Sequence, residues 1–263
     1  MSAASLRLAA AEASAGLLRC PPAEVKEAGP GNLAGVVWRQ WRTERALAAR
    51  GIEFRSADPA QVEAAYAAMT AEEFNAVNGR QAWANWRTIP ASLDGLLPDE
   101  PVRALDLGCG TGRSTAVLAY CLPDGSTVTG IEFAVPLVEV ARGREYPNRS
   151  GRCTVRFAAG SVCGPLTNAD GETIADGSID CVNSSGLLGH HLAGDDLQAC
   201  LNEVARVLTA NGVAALDPGP GLSSATLKRA MAERGFQFVR RTRSNPLDRC
   251  GQAVFIKQAS EGA

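Results

Sequence analysis

Three glycines, Gly108, Gly110 and Gly112, stand directly behind Asp106 in the stretch "VRALDLGCGTGRSTAVLAYCL". Glycine at this spacing lets the backbone turn sharply and approach a ligand closely. The helix-like run behind it offers unpaired N–H groups and a positive dipole end. The chemistry implied is the cradling of a polar or anionic ligand, although a bare strand-to-helix turn uses the same residues. Glu132 narrows the choice. It closes the next strand-like run, where a carboxylate can accept hydrogen bonds from both hydroxyls of a ribose. A dinucleotide fingerprint would place a third glycine or alanine three residues after Gly110, and Arg113 stands there instead. The pattern therefore points to an adenosine-type ligand and speaks against a pyrophosphate.

The elements that must position these residues begin at Val102. Strand-like runs at 102–108, 126–133, 153–161, 179–186 and 213–219 alternate with helical patterns, as in βαβ units whose parallel sheet is covered on both faces. In "GDDLQACLNEVARVL", Leu197, Cys200, Leu201, Val204 and Leu208 recur at helical spacing, and Asn211-Gly212 is expected to end that helix. A serine-capped helix, "SSATLKRAMAERG", follows. The last two runs, "FQFVRRTRS" and "QAVFIKQ", lie too close together for a helical crossover, which predicts an antiparallel hairpin. Upstream, residues 1–98 lack this alternation and read as a helical cap with a polar break at Asn78-Gly79. Residues 99–258 form the expected core and 259–263 a short tail.

Composition narrows the partners. The 263 residues carry 26 basic and 28 acidic side chains, a net charge of −2, so no general electrostatic grip on nucleic acid or anionic lipid is expected. No run reaches the length of a membrane span, and Glu12 interrupts what would be a secretory hydrophobic region. The eight cysteines show no CxxC spacing and read as free thiols of a reducing cytoplasm, and the two histidines are adjacent, so no metal site is expected.

"LDLGCGTG" followed by "VTGIEF" resembles the first two signature motifs of class I S-adenosylmethionine-dependent methyltransferases. "AAGSV" and "NEVARVLTANGV" are similar to later segments of that family, and the resemblance runs from about Val102 to Lys257. It implies a doubly wound, mostly parallel seven-stranded α/β sheet of order 3-2-1-4-5-7-6 with the last strand antiparallel. It implies S-adenosylmethionine as cofactor. Gly108, Cys109 and Gly110 would line its methionine part, while Asp106 orients the loop or, through water, the ammonium. Glu132 would take the ribose, Phe133 the adenine face, and Ser161 and Val162 the adenine edge, with Ser184 closing the fourth strand beside it. The family more often has Asp where Ser161 stands, and a hydroxyl can still bond there.

"IDCVNSSGLLGHHL" resembles the family's fourth strand and acceptor-facing loop, with Gly189 as an extra residue. Methyl transfer is an in-line displacement that chiefly needs alignment and exclusion of water, and a histidine can remove an acceptor's proton. His191 is the first candidate and His190 the second. Asp217 either orients an acceptor or caps a turn. Tyr66, Trp83 and Trp86 with Arg87 either form a lid, with Arg87 pairing the cofactor carboxylate, or simply pack. Trp38 and Trp41 read as a packing face. The expected acceptor is a small molecule. A protein or RNA acceptor, or a non-catalytic methyltransferase-like regulatory subunit, stands as the alternative.

Overall fold

The computed structural model describes residues 32–54, 59–244 and 250–259. Among the described residues four helices lead: α1 (Leu33–Ala49), α2 (Pro59–Ala68), α3 (Ala71–Val77) and α4 (Gly79–Leu93). Then follow β1 (Arg103–Leu107), α5 (Arg113–Cys121), β2 (Ser126–Glu132), α6 (Val135–Arg142), β3 (Cys153–Ala159) and β4 (Ile179–Ser184). After them come α7 (Leu188–His191), α8 (Gly194–Val207), β5 (Leu208–Leu216), α9 (Ser224–Ala232), β6 (Phe236–Arg241) and β7 (Ala253–Lys257).

The seven strands form one sheet of order β3-β2-β1-β4-β5-β7-β6. β1 to β5 are parallel, and β7 lies antiparallel between β5 and β6, as the short connection between the last two runs predicts. Gly130 sits opposite Asp106 in the β1–β2 pairing. It admits the Phe157 ring, which would lie 2.6 Å from an added β-carbon. Apolar side chains cover both faces. Leu197, Leu201 and Val204 of α8 pack on one, while Trp86, Ile89, Val117 and Leu118 of α4 and α5 pack on the other. Each fully buried side chain of this size contributes about 1.5–3 kcal/mol.

The break at Asn78-Gly79 separates α3 from α4, and Ser223 caps α9 by accepting from the Thr226 N–H at 3.0 Å. Three expectations are corrected. α8 stops at Val207, before Asn211-Gly212, because Lys257 Nζ of β7 donates to the carbonyls of Ala205 and Leu208, both at 2.7 Å, and the chain turns extended at Leu208. Asn211, at φ 66°, then lies within the span of β5, where the β4–β5 register shifts. Trp38 and Trp41 do not pack inward: they are 55 % and 52 % exposed, with Arg42 and Arg45 lying over their rings. The strand-like runs also end earlier than expected, at Glu132, Ala159, Ser184 and Leu216.

The first three helices dock on α6. Leu47, Val62, Tyr66, Met69 and Val77 form one apolar cluster with Ala134 and Leu137. Thr70 starts α3 with a reciprocal cap, its side chain accepting from Glu73 N–H at 3.1 Å while its own N–H bonds the Glu73 carboxylate at 2.9 Å. Arg50, just past α1, pairs with Glu73 and donates to the Ala68 carbonyl, tying the three helices together. Phe74 and Asn75 are thereby held over the sheet's carboxyl edge. The predicted segment 1–31 and most of the turn before β7 lie outside the described residues. Among the described residues no helix is long and apolar enough to cross a membrane.

Candidate functional site

The site is built from the carboxyl ends of β1, β2 and β4, where a doubly wound sheet binds ligands. Asp106 is fully buried and accepts from Ser114 Oγ (2.7 Å) and Thr115 Oγ1 (2.6 Å) at the start of α5, and from Asn183 Nδ2 of β4 (2.7 Å). Asn183 Oδ1 in turn accepts from Gln252 Nε2 at 2.7 Å, and Gln252 Oε1 accepts from Ser92 of α4 at 2.8 Å. Burial pushes the Asp106 carboxyl above its ordinary value, and the three donors oppose that rise. Hydrogen bonds to a charged acceptor are worth about 1.5–3 kcal/mol each. The carboxylate thus pins α5 to the sheet and fixes the glycine loop between them.

Gly108 and Gly110 have φ of 69° and 53°, which a side chain resists. Their loop presents the Gly110 N–H to Glu132 Oε2 at 3.1 Å, while Glu132 Oε1 accepts from Ala134 N–H at 3.0 Å. Burial raises the Glu132 carboxyl, opposed by the backbone donors of Ala134, Gly110 and Phe133, with Asp106 adding a further rise. An ionised carboxylate has about four acceptor positions. The Phe133 backbone also bonds this carboxylate, so three positions are taken by the backbone and one is left for a hydroxyl of a ribose.

A cavity of about 70 Å³ lies between this edge and the helices above it. Its wall includes Gly108, Cys109, Gly110, Glu132 and Phe133 from below, Ser185, Gly186 and His191 from the β4 side, and Tyr66, Phe74, Asn75, Gln81 and Asn85 from above. Drug-sized ligand pockets run to about 300–1,000 Å³. The missing space is filled by the cap. The Phe74 ring stands 2.7 Å from where a Gly110 β-carbon would be, and Thr111 Oγ1 donates to Asn75 Oδ1 at 2.5 Å. Tyr66 stacks on Phe133 with ring centroids 6.1 Å apart, meets Phe74 edge-on at 5.1 Å, and bonds His191 Nε2 through its hydroxyl at 2.8 Å.

His191 sits in the short turn α7 and its imidazole is pushed down to about 4, by burial first and by His190 second, so it is neutral near pH 7. Its Nδ1 is buried without a partner among the described residues, as is Ser184 Oγ. His190 is exposed and lies outside the cavity wall. Asp217 is buried behind Gly186. It accepts from the Gly219 N–H at 2.9 Å and is bonded by the Gly186 backbone and the Gln81 side chain, and burial lifts it to about 6.

The structure therefore gathers Gly108, Cys109, Gly110, Glu132, Phe133 and His191 around one cavity, with Asp106 and Ser184 in the layer beneath. Ser161 and Val162 do not reach the wall: Ser161 Oγ accepts from Cys163 N–H at 3.0 Å, and Val162 packs in the core. Arg87 lies 3.6 Å above the Trp83 ring and donates to the Trp83 carbonyl, away from the cavity. Arg113 is the guanidinium in the wall, one residue beyond the glycine loop. Sequence reasoning used it only to exclude a dinucleotide. Phe74, Asn75, Gln81 and Asn85 were missed because helical residues carry no mark of the edge they will cover.

A seven-stranded sheet of this order, with a glycine loop after β1 and a carboxylate ending β2, defines the class I methyltransferase fold. Residues 105–216, under half of the chain, match the family described as "Methyltransferase domain", and the fold is the Rossmann-like methyltransferase fold. The family and fold imply S-adenosylmethionine as the cofactor, and the Glu132 carboxylate in the cavity wall suits its ribose. The chain is 36 % identical over 78 residues to trans-aconitate 2-methyltransferase of Deinococcus radiodurans, covering 29 % of this chain and 28 % of that protein. It is 32 % identical over 92 residues to demethylmenaquinone methyltransferase of Roseiflexus castenholzii, covering 35 % and 36 %. The chain spans about a third of the length of the curated relatives it matches. Among solved structures, the CurJ carbon methyltransferase superposes with a TM-score of 0.52 at 15 % identity, over 77 % of this chain and 61 % of that one.

Proposed function

We propose that the protein transfers the methyl group of S-adenosylmethionine to an O, N or C atom of a small-molecule acceptor. The observation that carries this reading is the buried Glu132 carboxylate at the end of β2, bonded to the Gly110 N–H in the wall of the cavity, where a ribose hydroxyl can reach it. Bound cofactor supplies an electrophilic methyl on a positively charged sulfur. In this reading Gly108, Cys109 and Gly110 carry the methionine part, Arg113 pairs its carboxylate and Phe133 covers the adenine. Ser161 and Val162 join the adenine edge once the cleft widens. Gln81, Asn85 and Ser185 face the acceptor with hydrogen-bonding groups. His191, neutral near pH 7, is the proton sink, and His190 tunes it through charge.

A small acceptor is favoured by the cap, whose helices close over the cavity, and by the two curated relatives, both named for small-molecule substrates. Incubating the protein with methyl-labelled cofactor and a metabolite extract, then following the label by mass spectrometry, tests this. Labelled small molecules are expected. Label only in protein or RNA fractions, or none at all, would reject it.

A further inference from the structure

Nε2 of His191, the nitrogen a proton would reach from the cavity, is covered by the Tyr66 hydroxyl at 2.8 Å, and Nδ1 is buried. Tyr66 comes from α2, 125 residues earlier in the chain. Its ring is fixed by Phe133 on one side and Phe74 on the other, in the wall of the same cavity. Any proton passing from an acceptor to His191 in this arrangement meets the phenol first. From these contacts we propose that Tyr66 is a catalytic residue, a relay between the methyl acceptor and His191.

The step balances. As the acceptor atom bonds the methyl carbon, the methyl–sulfur bond breaks and its electron pair stays on the sulfur of the departing S-adenosylhomocysteine, while the acceptor's own A–H bond breaks and its proton goes to the Tyr66 oxygen. The phenol proton moves at the same time along the existing hydrogen bond to His191 Nε2. His191 becomes the imidazolium and Tyr66 ends neutral, so no phenolate forms. That matters because burial, with Glu132 nearby, pushes the phenol well above its ordinary value. The relay requires that Tyr66 donate to Nε2 in the resting protein, which places the imidazole proton on Nδ1. The 2.8 Å separation of the Tyr66 hydroxyl and His191 Nε2 has the length such a bond needs, and the tautomer of His191 sets which atom donates.

The chain has two histidines, so its imidazole nitrogen spectrum is simple to assign, with His190→Asn identifying the other ring. The proposal rests on the methyltransferase reading for its activity arm but not for its spectroscopic arm. In the full chain labelled with 15N-histidine, Nδ1 of His191 is expected to be protonated and Nε2 to show a hydrogen-bonded, unprotonated shift. Tyr66→Phe keeps the ring contacts and should move the Nε2 signal alone. The same variant should incorporate label from the metabolite extract at least about 100-fold more slowly, the scale of positioned acid–base catalysis, with S-adenosylhomocysteine affinity within about twofold. An Nε2-protonated His191, or a Tyr66→Phe variant of undiminished rate, overturns the relay. Absence of transfer by the unaltered protein overturns the methyltransferase reading instead and leaves the tautomer result to be read by itself.

Discussion

The ring of Phe74 lies over Gly110 so closely that a β-carbon on the glycine would sit 2.7 Å from it. The cap thus lies against the methionine cradle of the proposed site, and a ligand entering there would displace the Phe74 ring. Phe74→Ala removes that competitor. Cofactor association, followed by stopped-flow tryptophan fluorescence, should quicken and affinity should rise by at least about threefold, since the contacts of this half-buried aromatic, a part of the about 1.5–3 kcal/mol of a fully buried one, no longer have to be given up. Slower association would contradict the occlusion. Gly110→Ala, at φ 53° and against the same ring, should lose affinity by more than about tenfold.

Arg113 lies in the cavity wall one residue past Gly112. If it pairs with the cofactor's carboxylate, Arg113→Ala should weaken S-adenosylhomocysteine about tenfold or more, in line with a charge-assisted bond of 1.5–3 kcal/mol. Methylthioadenosine, which lacks the amino-acid part, should bind the variant and the unaltered protein alike. Equal losses for both ligands, measured by calorimetry, would mean that Arg113 acts only on the fold.

The alternation of strands and helices was legible because it records which faces are buried, and the hairpin because no crossover fits between its strands. The glycine loop and Glu132 were legible because backbone geometry and ribose chemistry demand those residue types. Arg113 and the α3–α4 wall were not, since their roles depend on how the cap docks through Leu47, Val62 and Val77 on α6, a packing that no local pattern encodes. The end of α8 escaped for a similar reason: Lys257, 49 residues beyond Leu208, takes the helix's last carbonyls. Tyr66 was noted among aromatics that form a lid or pack, and in the structure it packs in the cap's apolar cluster and lines the cavity.

Asp217 gives a signed pH effect. Burial lifts it from the ordinary 3.8 to about 6, so the folded protein holds its proton where the unfolded chain has released it. Stability from this group is greatest below pH 4, declines as pH rises towards 6, and above that the charged form costs about 3 kcal/mol. Asp217→Asn should therefore gain stability relative to the unaltered protein as pH rises from 4 to 7, read as the difference between denaturant unfolding curves. A difference that stays flat with pH would show that Asp217 is ionised in the fold without penalty.

The central claim is that Glu132 holds the ribose of S-adenosylmethionine beside the Gly110 loop. Calorimetric titration of S-adenosylhomocysteine into the full chain and into Glu132→Gln, with thermal unfolding to verify that the variant is folded, tests it most directly. The account predicts binding by the unaltered protein and at least a tenfold loss in the variant, from one or two charge-assisted bonds of about 1.5–3 kcal/mol. No binding by the unaltered protein, or equal affinity in a folded Glu132→Gln, would contradict it.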